Sequence, residues 1–128
     1  MATLTPKLTL TGSAADFGAA LSLSVEDTLT VTDPSRGLSK ISATTVGSAA
    51  IITDTAATTK YVYIRHTGKD ASDSATAVNV FVQDTDDVNI GELAPEEWCF
   101  FPKKSNSGVQ LEAASGTVVC EYAYFTKG

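Results

Sequence analysis

Hydrophobic and polar residues alternate along much of this chain. In Val78-Asn79-Val80-Phe81-Val82-Gln83 the valines fall on one face, and Asn79, Phe81 and Gln83 on the other. Period two in β-branched and aromatic residues predicts a strand. Asp84-Thr85-Asp86-Asp87 interrupts it with turn-forming side chains, and Val88 to Leu93 resumes it. Ala94-Pro95-Glu96 turns again, Pro95 holding the φ that a first central turn position wants. Trp98 to Phe101 is a third strand and carries the only Trp. Upstream, Tyr61 to His66 puts Val62 and Ile64 on one face and Tyr61, Tyr63 and Arg65 on the other. Val62, Ile64, Val78, Val80, Val82 and Leu93 are therefore the expected core.

The first 59 residues differ in texture, being rich in Thr, Ser and Ala with Phe17 their one aromatic. Leu8-Thr9-Leu10-Thr11, Leu21-Ser22-Leu23-Ser24-Val25 and Leu29-Thr30-Val31-Thr32 each alternate apolar with hydroxyl, so each can bury one face and hydrate the other. Turns are expected at Gly12-Ser13, Glu26-Asp27 and Asp33-Pro34-Ser35-Arg36-Gly37. Ala14 to Ala20 reads as loop, since Gly18 interrupts a patch already too short for a helix. Weaker strands are expected at Lys40–Thr44 and Ala49–Thr53. Loops or turns are expected at Asp54–Thr59, Thr67–Thr76 (exposed) and Lys103–Gly108. Val109–Glu112 is a short strand. The last strand, Thr117–Thr126, is apolar on both faces, which suits a central strand or an edge covered by another subunit. About ten short strands with turn signals every 8–12 residues predict an all-β, antiparallel β-sandwich or jelly-roll-like fold. Residues 1–45 would form an extended N-terminal β arm with the first strands, and 46–128 the sandwich core, in one structural unit.

A chain of 128 residues suits one domain. Its apolar content of 43% argues against wholesale disorder. A net charge of −6, without a Lys/Arg run, argues against nucleic acid and anionic membrane surfaces as partners. Met1–Lys7 shows no secretory signal, and no apolar run nears the roughly 18 residues of a membrane span. Cys99 and Cys120 lie in apolar strands and read as reduced core thiols, with a cross-strand disulfide as the sharper alternative. His66 is the only histidine, too few imidazoles for a cupin-type metal centre, and reads as a strand-end residue facing solvent or a neighbour. Asp84, Asp86 and Asp87 lack EF-hand spacing, and Asp70 and Asp73 likewise read as turn caps. Glu96 and Glu97 are adjacent and do not converge as an acid/base pair. No catalytic residue, metal ligand or cofactor is therefore expected. The remaining interest is aromatic: Tyr61, Tyr63, Trp98, Phe100, Tyr122 and Tyr124 read as an outward platform for protein or carbohydrate, or as a second core layer.

From Tyr61 onward the chain resembles small virion structural proteins of tailed bacteriophages, particularly marine cyanophages. The residues that carry the likeness are Tyr61-Val62-Tyr63-Ile64-Arg65-His66-Thr67-Gly68, Ile90-Gly91-Glu92-Leu93-Ala94-Pro95, Phe100-Phe101-Pro102 and Glu121-Tyr122-Ala123-Tyr124-Phe125-Thr126-Lys127-Gly128. The Thr-rich opening from Leu4-Thr5-Pro6 to Thr32-Asp33-Pro34 is also similar. Glu96 departs from the pattern, standing where that turn usually has Gly, so a type I turn is expected instead. The resemblance implies a non-enzymatic place on the virion, reached from the host cytoplasm. A capsid decoration (cement) protein touching the major capsid protein or another virion protein is the first reading; a tail or head appendage binding host surface glycan is the alternative. A homo-oligomer is expected, a trimer by the resemblance. Its interface would use Leu8, Leu10, Leu21 and Leu23 of the arm with Tyr61, Tyr63, Tyr122 and Tyr124.

Overall fold

The structure is a computed structural model that describes residues 2–33, 38–46, 49–52 and 60–127. The chain runs β1 (Ala2–Leu4), β2 (Lys7–Gly12), α1 (Ala14–Phe17), β3 (Leu21–Glu26), β4 (Leu29–Asp33), β5 (Ser39–Ala43), β6 (Ala49–Ile52), β7 (Lys60–Asp70), β8 (Val80–Gln83), β9 (Asn89–Leu93), β10 (Trp98–Lys103), β11 (Val109–Ala113) and β12 (Val118–Lys127). It is all-β with antiparallel sheets. The larger sheet has the order β1-β4-β12-β7-β10, with β5 also paired to β12. The smaller has the order β6-β11-β8-β9, and β2 pairs with β3 alone. The turn expected after Asp33 and the loop expected at 54–59 lie outside the described residues.

The alternation in β7 sends Val62 and Ile64 to one face, and both are fully buried. They meet Val80, Val82 and Leu93 of the smaller sheet in one cluster, joined by Leu111 from β11 and Val118 and Cys120 from β12. Each such side chain contributes about 1.5–3 kcal/mol by leaving water. Val78 packs against this cluster half-buried. Ala43 of β5 is also fully buried in it, so the core reaches back across residue 45. On the other face of the smaller sheet Gln83 and Gln110 are buried, and their side-chain N–H groups are satisfied. Gln83 Nε2 donates to Asn89 Oδ1 and Glu112 Oε2, both at 2.8 Å. Gln110 Nε2 donates to Gln83 Oε1 at 3.1 Å and Asp87 Oδ1 at 2.6 Å.

Four local expectations are corrected. First, Thr67–Thr76 is not wholly loop: β7 continues to Asp70 through a bulge. Cys120 lies opposite His66 and Val119 opposite Lys69, leaving Thr67 and Gly68 as extra residues. Thr67 Oγ1 donates to Val119 O at 2.7 Å, and Gly68 takes φ +74°. Second, His66 does not face solvent or a neighbour; it is fully buried beneath that bulge. Its Nδ1 accepts from Gly68 N–H at 2.9 Å, so Nε2 carries the proton and donates to Val78 O at 2.7 Å. Third, Glu96 adopts φ +71°. With Glu97 N–H donating to Ala94 O at 3.0 Å, the turn is type II rather than type I. Glu97 Oε2 accepts from Ala94 N–H at 2.7 Å and closes it from the other side. Fourth, Ala14–Phe17 forms one helical turn, stopped at Gly18 with φ +73°.

The turn at 94–97 also carries the chain from one sheet to the other. β9 pairs with β8 in the smaller sheet, whereas β10 pairs with β7 in the larger. The last strand, β12, is central: β7 lies along one side, β5 and the end of β4 along the other. Its two apolar faces are thus explained without a second subunit. Asp70 and Asp84 act as turn caps. Asp70 Oδ1 accepts from Ser72 and Ser74 N–H, and Asp84 Oδ1 from Asp86 and Val88 N–H.

Candidate interaction surface

The hairpin of β2 and β3 holds the clearest unsatisfied surface. Its register sets Leu8 opposite Val25, Leu10 opposite Leu23 and Gly12 opposite Leu21. Facing residues share a side of the ribbon, so all five apolar side chains form one stripe. Lys7, Thr9, Thr11, Ser22, Ser24 and Glu26 form the other side, with Lys7 Nζ 3.4 Å from Glu26 Oε2. Each residue of the stripe is exposed, from 38% at Leu8 to 54% at Val25. A two-stranded ribbon is marginal in water without a third strand or a covering layer.

The stripe begins beside an aromatic surface. Ile64 is core, so Tyr61, Tyr63 and Arg65 project from the outer face of the larger sheet. Phe100 pairs with Tyr63 and Trp98 with Arg65 on β10, and Ala123 and Phe125 occupy the same face of β12. Tyr61 stacks on Phe100 at 6.1 Å between ring centres, and Lys127 Nζ lies 4.8 Å from the Tyr61 ring centre. Trp98 is 53% exposed. A cavity of about 440 Å³ opens between this face and the hairpin base, lined by Pro6, Leu8, Val25, Tyr63, Trp98 and Phe100, with Lys7 and Asp27 also contributing. A second, about 380 Å³, continues it past Leu4, Leu38 and Phe125. Pro6, Tyr63 and Phe100 line both, so the two form one groove.

Of the expected interface residues, the structure brings together Leu8, Leu10, Leu21, Leu23 and Tyr63, with Tyr61 further along the same sheet face. Tyr122 and Tyr124 are corrected: they lie on the opposite, inward face. Tyr122 is opposite Ile64 and Tyr124 opposite Val62, and both pack on the core cluster. Their rings stack at 6.5 Å, and Lys60 Nζ sits 5.2 Å from the Tyr124 ring centre. β12 is apolar at both parities, so its pattern gave no sign of which face turns inward. Val25 completes the stripe and was signalled by the Leu21–Val25 alternation. Pro6, Leu4 and Leu38 carried no signal, because their place in the groove depends on how the hairpin base meets the sheet.

Burial shifts three titratable groups. Cys99 and Cys120 are free thiols on strands flanking β7. Burial pushes Cys99 up to about 11, against a smaller lowering by an Ile64 backbone hydrogen bond. Cys120 is pushed up to about 12 by burial and then by Cys99. Lys103, buried at the end of β10, is lowered by desolvation and then by Lys60, its cross-strand partner. Among the described residues no group of three or more His, Cys, Asp or Glu is placed to hold a metal ion, and no helix is long and apolar enough to cross a membrane. What the surface can do is bind, by burying apolar and aromatic area. No protein-family model, curated protein or solved structure matches the chain.

Proposed function

We propose that this protein is a non-enzymatic structural component of a tailed-phage virion, a decoration protein that stabilises the head by contacts with the major capsid protein or another virion protein. The observation that carries the reading is the hairpin: an ordered β arm with an exposed apolar stripe, set beside an aromatic groove. Such an arm adds area, strands or both to a neighbour. Strand order supports the finer architecture, a β-sandwich of the jelly-roll kind found in capsid and lectin domains. Counting β5 as first and β12 as eighth, the larger sheet contains first, eighth, third and sixth, and the smaller second, seventh, fourth and fifth. The resemblance to cyanophage virion proteins supports the location, and a homo-oligomer, a trimer by that resemblance, is the working unit. The test is to add purified protein to phage heads lacking it. Saturable binding at regular head positions in electron micrographs, with greater resistance to heat or osmotic shock, is expected. Location on the tail alone, or no binding to heads, would overturn the reading.

One observation favours the alternative, an appendage that binds host surface glycan. Trp98 borders a recess of about 420 Å³ with Tyr63, Arg65 and Glu96. An exposed indole beside a guanidinium and a carboxylate suits a sugar ring and its hydroxyls. A Trp98→Ala variant that still binds heads but loses binding to host-surface polysaccharide would favour that reading.

A further inference from the structure

We infer that the hairpin stripe seats in the aromatic groove of a second copy of this chain, so that each groove is completed by another copy's arm. The inference rests on the oligomer named above and adds which surfaces meet. Area argues for this pairing. At the exposures found, the five stripe side chains present about 400 Å² of apolar surface, within the range of the largest patch on ordinary monomers. Stripe against stripe would therefore bury only about half of the roughly 800 Å² per partner that a stable interface needs. The groove, with Trp98 half exposed beside Tyr63 and Phe100, adds to what each copy contributes if it gives its stripe to one site and its groove to another.

Charge selects where a second copy can sit. The chain carries −6, so two copies repel over most of their surfaces. The stripe holds no charged side chain, and the groove adds only Lys7 and Asp27, of opposite sign, at the hairpin base. This is the surface on which like copies can meet without opposing charges of one sign. The polar side of the ribbon, with its Lys7–Glu26 pair, stays in water while the stripe is covered. Leu8 and Val25 already line the groove, so the distal Leu10, Leu21 and Leu23 are the residues left for the neighbour. A contact of two different surfaces must close, either as a reciprocal pair or as a ring, to avoid growing into a filament.

Two variants separate the surfaces. Leu10→Lys with Leu23→Glu replaces a facing pair by opposite charges that keep the ribbon paired. Trp98→Lys with Phe100→Thr removes two of the groove's rings. By analytical ultracentrifugation at about 100 μM the native chain is expected as one closed oligomer, and each variant as a monomer with at least tenfold weaker association. Mixed, the two variants should associate more strongly than either alone, because one keeps its groove and the other its stripe and a single contact remains. A second measurement does not depend on those variants folding. The only indole N–H, that of Trp98, should broaden in a 15N-labelled copy mixed with an unlabelled copy spin-labelled at Ala20→Cys. A monomeric native chain, a groove variant that still assembles, a mixture that associates no more than either variant alone, or an unbroadened indole would overturn the inference. Failure is distinct from failure of the decoration reading. A monomer that still coats heads would sink this inference alone, and an oligomer so assembled that ignores heads would sink only the other.

Discussion

Replacing His66 by Leu tests the account of the buried bulge most directly. The imidazole is fully buried, accepts from Gly68 N–H at 2.9 Å and donates to Val78 O at 2.7 Å. Leu has nearly the same volume, so little cavity is created and the readout is polar. Two backbone groups lose their partner, and each orphan costs about 1–3 kcal/mol. Their sum, with partial relaxation, is about 2–5 kcal/mol, a large share of the total stability of a domain this size. The assay is urea unfolding followed by circular dichroism, with an unchanged slope confirming that the same surface is exposed. Two milder variants divide the loss. Asn places an oxygen near the position of Nδ1 and keeps the Gly68 bond; Gln places an amide nitrogen near Nε2 and keeps the Val78 bond. Both should fall between wild type and His66→Leu. A His66→Leu loss below about 0.5 kcal/mol would refute the claim that the imidazole satisfies these groups.

Glu96→Gly should stabilise the chain by about 0.5–1 kcal/mol, since relief of a left-handed φ outweighs the added freedom of the unfolded chain; a lowered melting temperature would contradict the type II turn. Ile64→Ala should cost about 2–5 kcal/mol by lost burial and a cavity, measured by the same urea titration. Stability should fall as pH rises from 9.0 towards about 11 and 12, because the unfolded thiols ionise while Cys99 and Cys120 stay protonated in the fold. The unfolded state then binds fewer protons, which sets the sign. A Cys99→Ala, Cys120→Ala variant should lose that part of the slope, and an identical alkaline profile would count against it. Both native thiols should also resist alkylation at pH 8 until the protein unfolds.

The strands that bury one face were legible in the sequence. Val62 and Ile64 alternate with bulky but tolerant partners, and the Leu8–Thr11 and Leu21–Val25 runs announced an amphipathic ribbon, although its apolar side is exposed rather than buried. Legibility ended where burial was decided by a distant segment. Tyr122 and Tyr124 look as outward as Tyr61 and Tyr63, and only the opposition of Tyr122 to Ile64 turns them inward. His66 resembled a surface residue because the polar run after it suggested a loop. The bulge that covers it instead uses Gly68, whose φ of +74° follows from the packing of β7 on β12. Gln83 was placed on the correct face, but its burial depends on Gln110 and Glu112 across the sheet. Glu96 shows the same limit in a turn: local preference argued against a positive φ, and the crossing between sheets imposed one.

The position of β12 has a consequence for how the protein is made. The latest of these twelve strands in chain order is the middle strand of the larger sheet, flanked by β7 and β5. Until it emerges, each of these has an open edge, and neither Val118 nor Cys120 is there to close the core. The larger sheet therefore closes only after β12 has been made, and the rate is set by pairings between residues as distant as Ala43 and Val118. A chain lacking this one strand keeps the pairings of the smaller sheet but leaves its core and the edges of β5 and β7 open, which favours aggregation or proteolysis over assembly.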